Sequence, residues 1–225
     1  MGSRALAFSL CLGVSLCAST AYAETENTFQ SWTALFVQGR TRTEPGPSPV
    51  YWLDLQVRRG SATTVLLARP GLGYAFDQRF SVWAGYAFVP TFIDGGEDRY
   101  ENRAWEQFMA VFKPGDSTWT LRTRAEQRFV VDAEDVGYRF RQLVRLQQLV
   151  APRFAAVVWD EVFFGVNDTD FGQLAGFDQN RAFVGPAWLP ETGVRLEAGY
   201  LSVVQRRPDV TVLVHALSVN AFLNF

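Results

Sequence analysis

Histidine and lysine are nearly missing from this sequence, which holds one of each, His215 and Lys113. Cysteine occurs twice, as Cys11 and Cys17, both close to the start. No uncharged apolar run reaches the ~18 residues that a helical membrane span requires. Neither sign of charge dominates: 21 basic and 23 acidic residues give a net charge of −2. That balance offers no footprint for nucleic acid. Apolar residues are abundant instead, at 48% of 225 positions with 15% aromatic, which excludes a disordered chain and allows one sizeable core.

The first 23 residues read as a targeting segment. Met1-Gly2-Ser3-Arg4 supplies a short positive start, Ala5 to Cys17 an apolar stretch, and Ala21-Tyr22-Ala23 a small-residue cleavage site. This is the pattern of a Sec-type secretory signal peptide cleaved after Ala23. Residues 24–225 are then expected to form one domain without cysteine, which excludes a disulfide framework and a cysteine metal site. With one histidine besides, no metal site and no cofactor are expected. All basic side chains of that domain but Lys113 are arginine, the residue suited to bidentate pairing with carboxylates in confined places.

Residue character alternates with period two along most of the domain, the mark of strands with two unlike faces. Phe80, Val82, Ala84, Tyr86 and Phe88 oppose Ser81, Trp83, Gly85, Ala87 and Val89. Trp119, Leu121, Thr123, Ala125 and Phe129 oppose Thr120, Arg122, Arg124, Glu126 and Arg128. Phe140, Val144, Leu146 and Val150 oppose Arg139, Arg141, Arg145 and Gln147, while Leu196, Ala198 and Tyr200 oppose Arg195, Glu197 and Gly199. Tyr51, Leu53, Leu55 and Val57 oppose Trp52, Asp54, Gln56 and Arg58. Turn sequences such as Lys113-Pro114-Gly115-Asp116 and Ala151-Pro152-Arg153 separate the runs, and longer polar loops are expected at Thr91–Glu101, Val130–Gly137 and Gly165–Gly176. The glycines Gly71, Gly73, Gly85, Gly185 and Gly199 fall inside strands, where a missing side chain makes room for a neighbour.

This pattern predicts an all-β domain, a single-chain antiparallel transmembrane β-barrel of the bacterial outer membrane with about 10–12 strands. Eleven candidate strands can be counted, and such barrels normally have an even number. Either Thr28–Gln38 lies outside the wall, giving ten, or one strand is missed, giving twelve. Aromatics near strand ends (Trp52, Tyr74, Phe80, Phe88, Trp119, Phe129, Tyr138, Phe154, Trp188 and Tyr200) are placed to form interfacial girdles. The chain ends in Leu217, Val219, Ala221, Leu223 and Phe225 on one face, the form of an assembly signal finishing at Phe225. A soluble periplasmic ligand-binding barrel would show the same alternation with its apolar face turned inward.

Several segments resemble one family. They are Trp159-Asp160-Glu161-Val162-Phe163-Phe164, Gly176-Phe177-Asp178-Gln179-Asn180-Arg181-Ala182-Phe183-Val184-Gly185, Arg195-Leu196-Glu197-Ala198-Gly199-Tyr200, Arg69-Pro70-Gly71-Leu72-Gly73-Tyr74 and Gly85-Tyr86, with His215 among the terminal apolar residues. Together they resemble the bacterial family called domain of unknown function 2490. The resemblance implies a Gram-negative outer-membrane barrel and brings no catalytic residues.

The densest constellation is the charged face formed by Arg122, Arg124, Glu126 and Arg128 beside Arg139, Arg141 and Arg145, with Glu197 and Asp54 as further partners and one of Asp160 or Glu161. On paired strands these residues would line the lumen, either as a structural salt-bridge network or as a porin-like, anion-favouring path. The leading function is therefore a narrow channel or structural barrel, not an enzyme. Its partners would be outer-membrane lipid, lipopolysaccharide and the barrel-assembly machinery. The rival is a lipid-modifying hydrolase using His215, although His215 and Ser218 fall on opposite faces of one strand. Asn167-Asp168-Thr169-Asp170 lacks the glycine and distal glutamate of a calcium loop.

Overall fold

The computed structural model describes residues 24–42 and 46–225; the expected signal segment lies outside them. The alternating runs become β1 (Glu24–Arg40), β2 (Ser48–Arg59), β3 (Thr63–Ala75), β4 (Phe80–Ile93), β5 (Arg99–Phe112), β6 (Ser117–Val130), β7 (Val136–Ala151), β8 (Phe154–Gly165), β9 (Gly176–Trp188), β10 (Val194–Arg206) and β11 (Val210–Asn224). No helix occurs among the described residues. Each strand pairs antiparallel with the next, and β1 pairs with β11 to close the barrel.

The even strand count fails. Thr28–Gln38 lies inside β1 and the wall has eleven strands. An up-and-down meander of odd number leaves its first and last strands running the same way, so the seam must be parallel. It runs from Glu24 beside Val210 to Gln38 beside Asn224. The expected loops are also shorter than read: β4 continues to Ile93 and β5 begins at Arg99, so most of Thr91–Glu101 belongs to the wall. Long strands satisfy their backbone groups pairwise, which favours extending the ladder wherever side chains permit.

The turns β3–β4, β5–β6, β7–β8 and β9–β10 share one end with the C-terminus; we call it the short-turn end. At the first of them Asp77 accepts the backbone N–H of Arg79 at 2.6 Å and of Phe80 at 2.7 Å. The bond from Phe80 and then that from Arg79 hold its carboxyl below the usual range. The opposite, long-loop end carries 94–98, 131–135 and 166–175.

The two faces separate as alternation demands. Outward stand Val82, Tyr86 and Phe88 on β4, Phe140 and Val144 on β7, and Leu217 and Val219 on β11, all exposed. Two carboxylates interrupt this apolar exterior: Glu106, and Asp160, which accepts from Asn180 Nδ2 at 2.9 and 3.1 Å. Trp52 departs from the girdle expectation. It points inward and meets Trp83 edge-on at 5.9 Å, because it alternates with outward Tyr51 and Leu53.

The interior is packed. One apolar cluster gathers Val157, Phe183, Leu201, Val203, Val212 and Val214; another gathers Val50, Leu67, Trp83, Val89 and Trp105. Gly71 and Gly85 face each other across β3 and β4, and a Cβ on either would lie 2.5 Å from the Trp105 ring. The indole occupies the space their missing side chains leave. Gly85→Leu is therefore expected to expel Trp105 and destabilise the barrel by ~1–3 kcal/mol through overpacking. Urea titration with tryptophan emission reads this directly. An unchanged midpoint and spectrum would mean that Trp105 is not seated on Gly85.

Candidate functional site

The antiparallel register of β5 through β8 stacks the charged positions of successive strands on one interior wall. Arg124 stands opposite Arg141 and Gln107, and Glu126 opposite Arg139 and Trp105. Like charges facing across strands repel, so carboxylates have to interleave. Glu126 does so: its carboxylate lies 2.6 Å from Arg139 Nη2, 2.5 Å from Arg141 Nη1 and 3.9 Å from Arg124 Nη1. Glu161 on β8 pairs with Arg122 at 2.7 Å and grips Arg141 through Nε at 2.9 Å and Nη2 at 3.0 Å. Asp178 on β9 takes the other side of Arg139 at 3.0 Å.

Rings support the same cations. Arg141, Arg181 and Arg139 stand 4.4, 4.6 and 5.2 Å from the Phe163 ring centre, and Arg124 stands 4.5 Å from Trp105. A guanidinium is weakly hydrated and planar, so it tolerates such stacking where an ammonium would not. Phe163 and Arg124 are 0% exposed and Trp105 is 1% exposed, so the interior is filled at this height.

Toward the long-loop end Glu101 pairs with Arg103 at 2.8 Å and Arg128 at 2.5 Å. The 166–175 loop closes over them. Gln173 is 3% exposed and accepts from Arg128 Nη1 at 3.0 Å, while Phe171 lies beneath Arg99 and Arg128. Asp168 and Asp170 accept backbone N–H groups of Ala175 and Glu134, so they brace this loop. No carboxylate and histidine cluster suited to a metal occurs among the described residues.

Toward the short-turn end Asp54 pairs with Arg69 at 3.4 Å, and Glu197 on β10 pairs with Arg195 at 2.7 Å and with Arg145 on β7. Partners three strands apart in a closed wall can meet only through the interior. A cavity of about 560 Å3 lies here, lined by Trp32, Trp52, Arg69, Arg122, Arg145 and Arg195 among others.

All of Arg122, Arg124, Glu126, Arg128, Arg139, Arg141, Arg145 and Glu197 therefore have their side chains inside the barrel, with Glu161 as the inward member of the Asp160–Glu161 pair. Sequence reasoning left out Glu101, Arg103 and Arg181, although alternation in their own strands would have placed each of them inward, and Asp178, which a register shift at Phe163–Phe164 turns inward beside Gln179 against the alternation of β9. It also missed Gln107 and Gln173, neutral residues whose roles depend on which guanidinium stands opposite.

His215 lies on the outer face. Tyr200 Oη stands 2.6 Å from Nδ1, Asn27 Oδ1 stands 3.2 Å from Nε2, and Phe29 stacks on the ring at 5.3 Å. Ser218 and Asn220 are buried inside and bonded to each other at 3.1 Å. The wall thus separates the three residues that a hydrolase using them would have to unite. Ser202 shares the outer face and stands directly across from His215, but the two ring nitrogens of His215 are already occupied by Tyr200 and Asn27.

No solved structure matches this chain. An uncharacterized protein of Methylorubrum extorquens is 33% identical over 186 residues, covering 78% of this chain and 80% of the relative. The model of the family described as protein of unknown function (DUF2490) matches residues 29–212, nearly the whole wall from β1 into β11. With strands β2 to β10 and the interior network inside that span, the chain belongs to the DUF2490 family.

Proposed function

We propose that this protein is an outer-membrane barrel whose lumen is held shut by its ionic network: a structural or ligand-holding barrel and not a standing pore. The observation that carries the reading is the inversion of polarity. Apolar side chains face out, while eleven arginines (58, 69, 103, 122, 124, 128, 139, 141, 145, 181 and 195) and six carboxylates (54, 101, 126, 161, 178 and 197) face in. In water that arrangement would expose a broad apolar surface, whereas lipid would cover it.

Aromatics at both rims support the reading. Tyr74, Phe112, Phe154 and Trp188 ring the short-turn end, and Phe92, Tyr100, Phe129 and Tyr138 the long-loop end, all exposed. In this reading residues 1–23 direct export, the exposed terminal Phe225 serves the assembly machinery, lipopolysaccharide surrounds the long-loop side, and the short turns face the periplasm.

Two measurements test it. Expressed in a Gram-negative host, the protein is expected in the outer-membrane fraction and resistant to alkaline extraction; recovery in the soluble periplasmic fraction would sink the membrane reading. In planar bilayers the refolded barrel is expected to give no steady conductance, because Arg124, Glu126 and Phe163, 0–2% exposed, pack the interior at mid-height. A steady conductance would overturn the shut lumen while leaving the location standing.

A further inference from the structure

We infer that the chamber at the short-turn end is a binding site for a small organic anion, an apolar ring body carrying a sulfonate, carboxylate or phosphate group. The inference takes the lumen to be shut, as proposed above, but does not require the membrane location.

Charge stoichiometry is the first support. Seven cationic side chains line the cavity against three carboxylates. Arg69 has Asp54, Arg122 and Arg141 share Glu161, and Arg145 and Arg195 share Glu197. Arg181 has no carboxylate within ion-pair distance among the described residues, and Lys113 stands free at the rim. Buried cations that exceed their partners require a counter-ion or lose much of their favourable environment. The long-loop half carries a smaller excess, five arginines (58, 103, 124, 128 and 139) against Glu101, Glu126 and Asp178.

Unused donors are the second support. The Nε of Arg69, the Nε of Arg122 and the indole N–H of Trp52 are buried without a hydrogen-bond partner among the described residues, and all three residues line this cavity. Arg69 is only 2% exposed. A buried polar group left unpaired is costly, and three such donors belong to residues that line this one cavity, where a shift of side chain on binding would give them an acceptor.

The walls name the rest of the ligand. Trp32, Phe36, Trp52, Trp159 and Phe222 line the same space. Arg195 lies 3.9 Å and Arg145 5.7 Å from the Phe222 ring, an alternation of guanidinium planes and rings that suits an aromatic anion. About 560 Å3 is room for a drug-sized molecule. Entry is from the short turns. A second cavity of about 450 Å3 opens at the same mouth and shares Gln38, Lys113 and Asn224 with the chamber. The opposite mouth is covered by the 166–175 loop.

The experiment is calorimetric titration of the refolded full-length barrel with naphthalene-2-sulfonate, each run corrected with protein-free micelles. A cationic analogue, 2-naphthylmethylammonium, and inorganic sulfate serve as comparators. Saturable one-site binding of the sulfonate is expected, with at least tenfold weaker binding of the cation and of sulfate. Thr120→Glu, which sets a carboxylate beside Arg145, and Arg122→Gln are each expected to weaken the sulfonate tenfold or more. Arg59→Glu reverses an exposed charge at the other end and is expected to change binding less than twofold.

Retained heat-modifiability on gels identifies the variants that fold, and either chamber variant suffices. No saturable heat, or equal binding of the cation, overturns the site. Equal binding of sulfate overturns the ring body. A loss with Arg59→Glu as large as with the chamber variants shows diffuse charge attraction in place of a site. Fractionation of the protein as a soluble species would fail the membrane reading and leave each of these outcomes readable.

Discussion

Glu126→Gln is expected to be the most damaging single substitution in the wall. Its carboxylate holds Arg139 and Arg141 at 2.6 and 2.5 Å and lies 3.9 Å from Arg124. The carboxylate is 2% exposed and the three arginines 0–5%, so none of them can turn to water when the charge is removed. Taking one partner from a buried network leaves uncompensated charge and costs about 3–5 kcal/mol. Arg139 keeps Asp178 and Arg141 keeps Glu161, which limits the loss; Arg124 keeps only Gln107. The urea midpoint of the refolded barrel and the temperature of its gel shift are the readouts. Glu197→Gln, whose partners Arg145 and Arg195 are 12% and 24% exposed at the side chain, is expected to cost clearly less. Equal costs would mean that position in the barrel does not govern the strength of these pairs.

Arginine at Leu121 is expected to hinder folding into lipid far more than arginine at Thr120. Leu121 points outward at 38% exposure, whereas Thr120 lines the interior cavity. The lipid-facing penalty is ~2–4 kcal/mol near the bilayer midplane and falls toward the interfaces. Leu196, two residues past the start of β10, therefore has a smaller expected penalty on substitution by arginine than Leu121. Refolding titrations into phosphatidylcholine vesicles measure all three. If Thr120→Arg proves the costliest, the outward face does not meet lipid and the membrane reading falls.

Much of the wall was readable because strand alternation is a local property. On β6 and β7 the residues themselves announce which positions share a face, and charge on every second position needs no knowledge of the neighbours. The seam was not readable. Thr28–Gln38 mixes Phe29, Trp32 and Phe36 with polar residues on both faces, so only pairing with β2 and β11 shows it to be wall. Trp52 misled for a different reason: alternation sets it on the charged face with Asp54, Gln56 and Arg58, but an aromatic near a strand end also suits a membrane interface.

By itself, the sequence determined that the domain is all-β, that its two faces differ, and that arginines concentrate on one of them, because period two and residue chemistry are written along the chain. Tertiary structure alone decided the strand number, the parallel closure, and which carboxylate serves which arginine. Those outcomes depend on which strands stand across the barrel from one another. Arg145 meets Glu197 across 52 positions of sequence, and Arg139 meets Asp178 across 39. Closure sets such distances through strand number and stagger, which belong to the whole sheet and to no single segment.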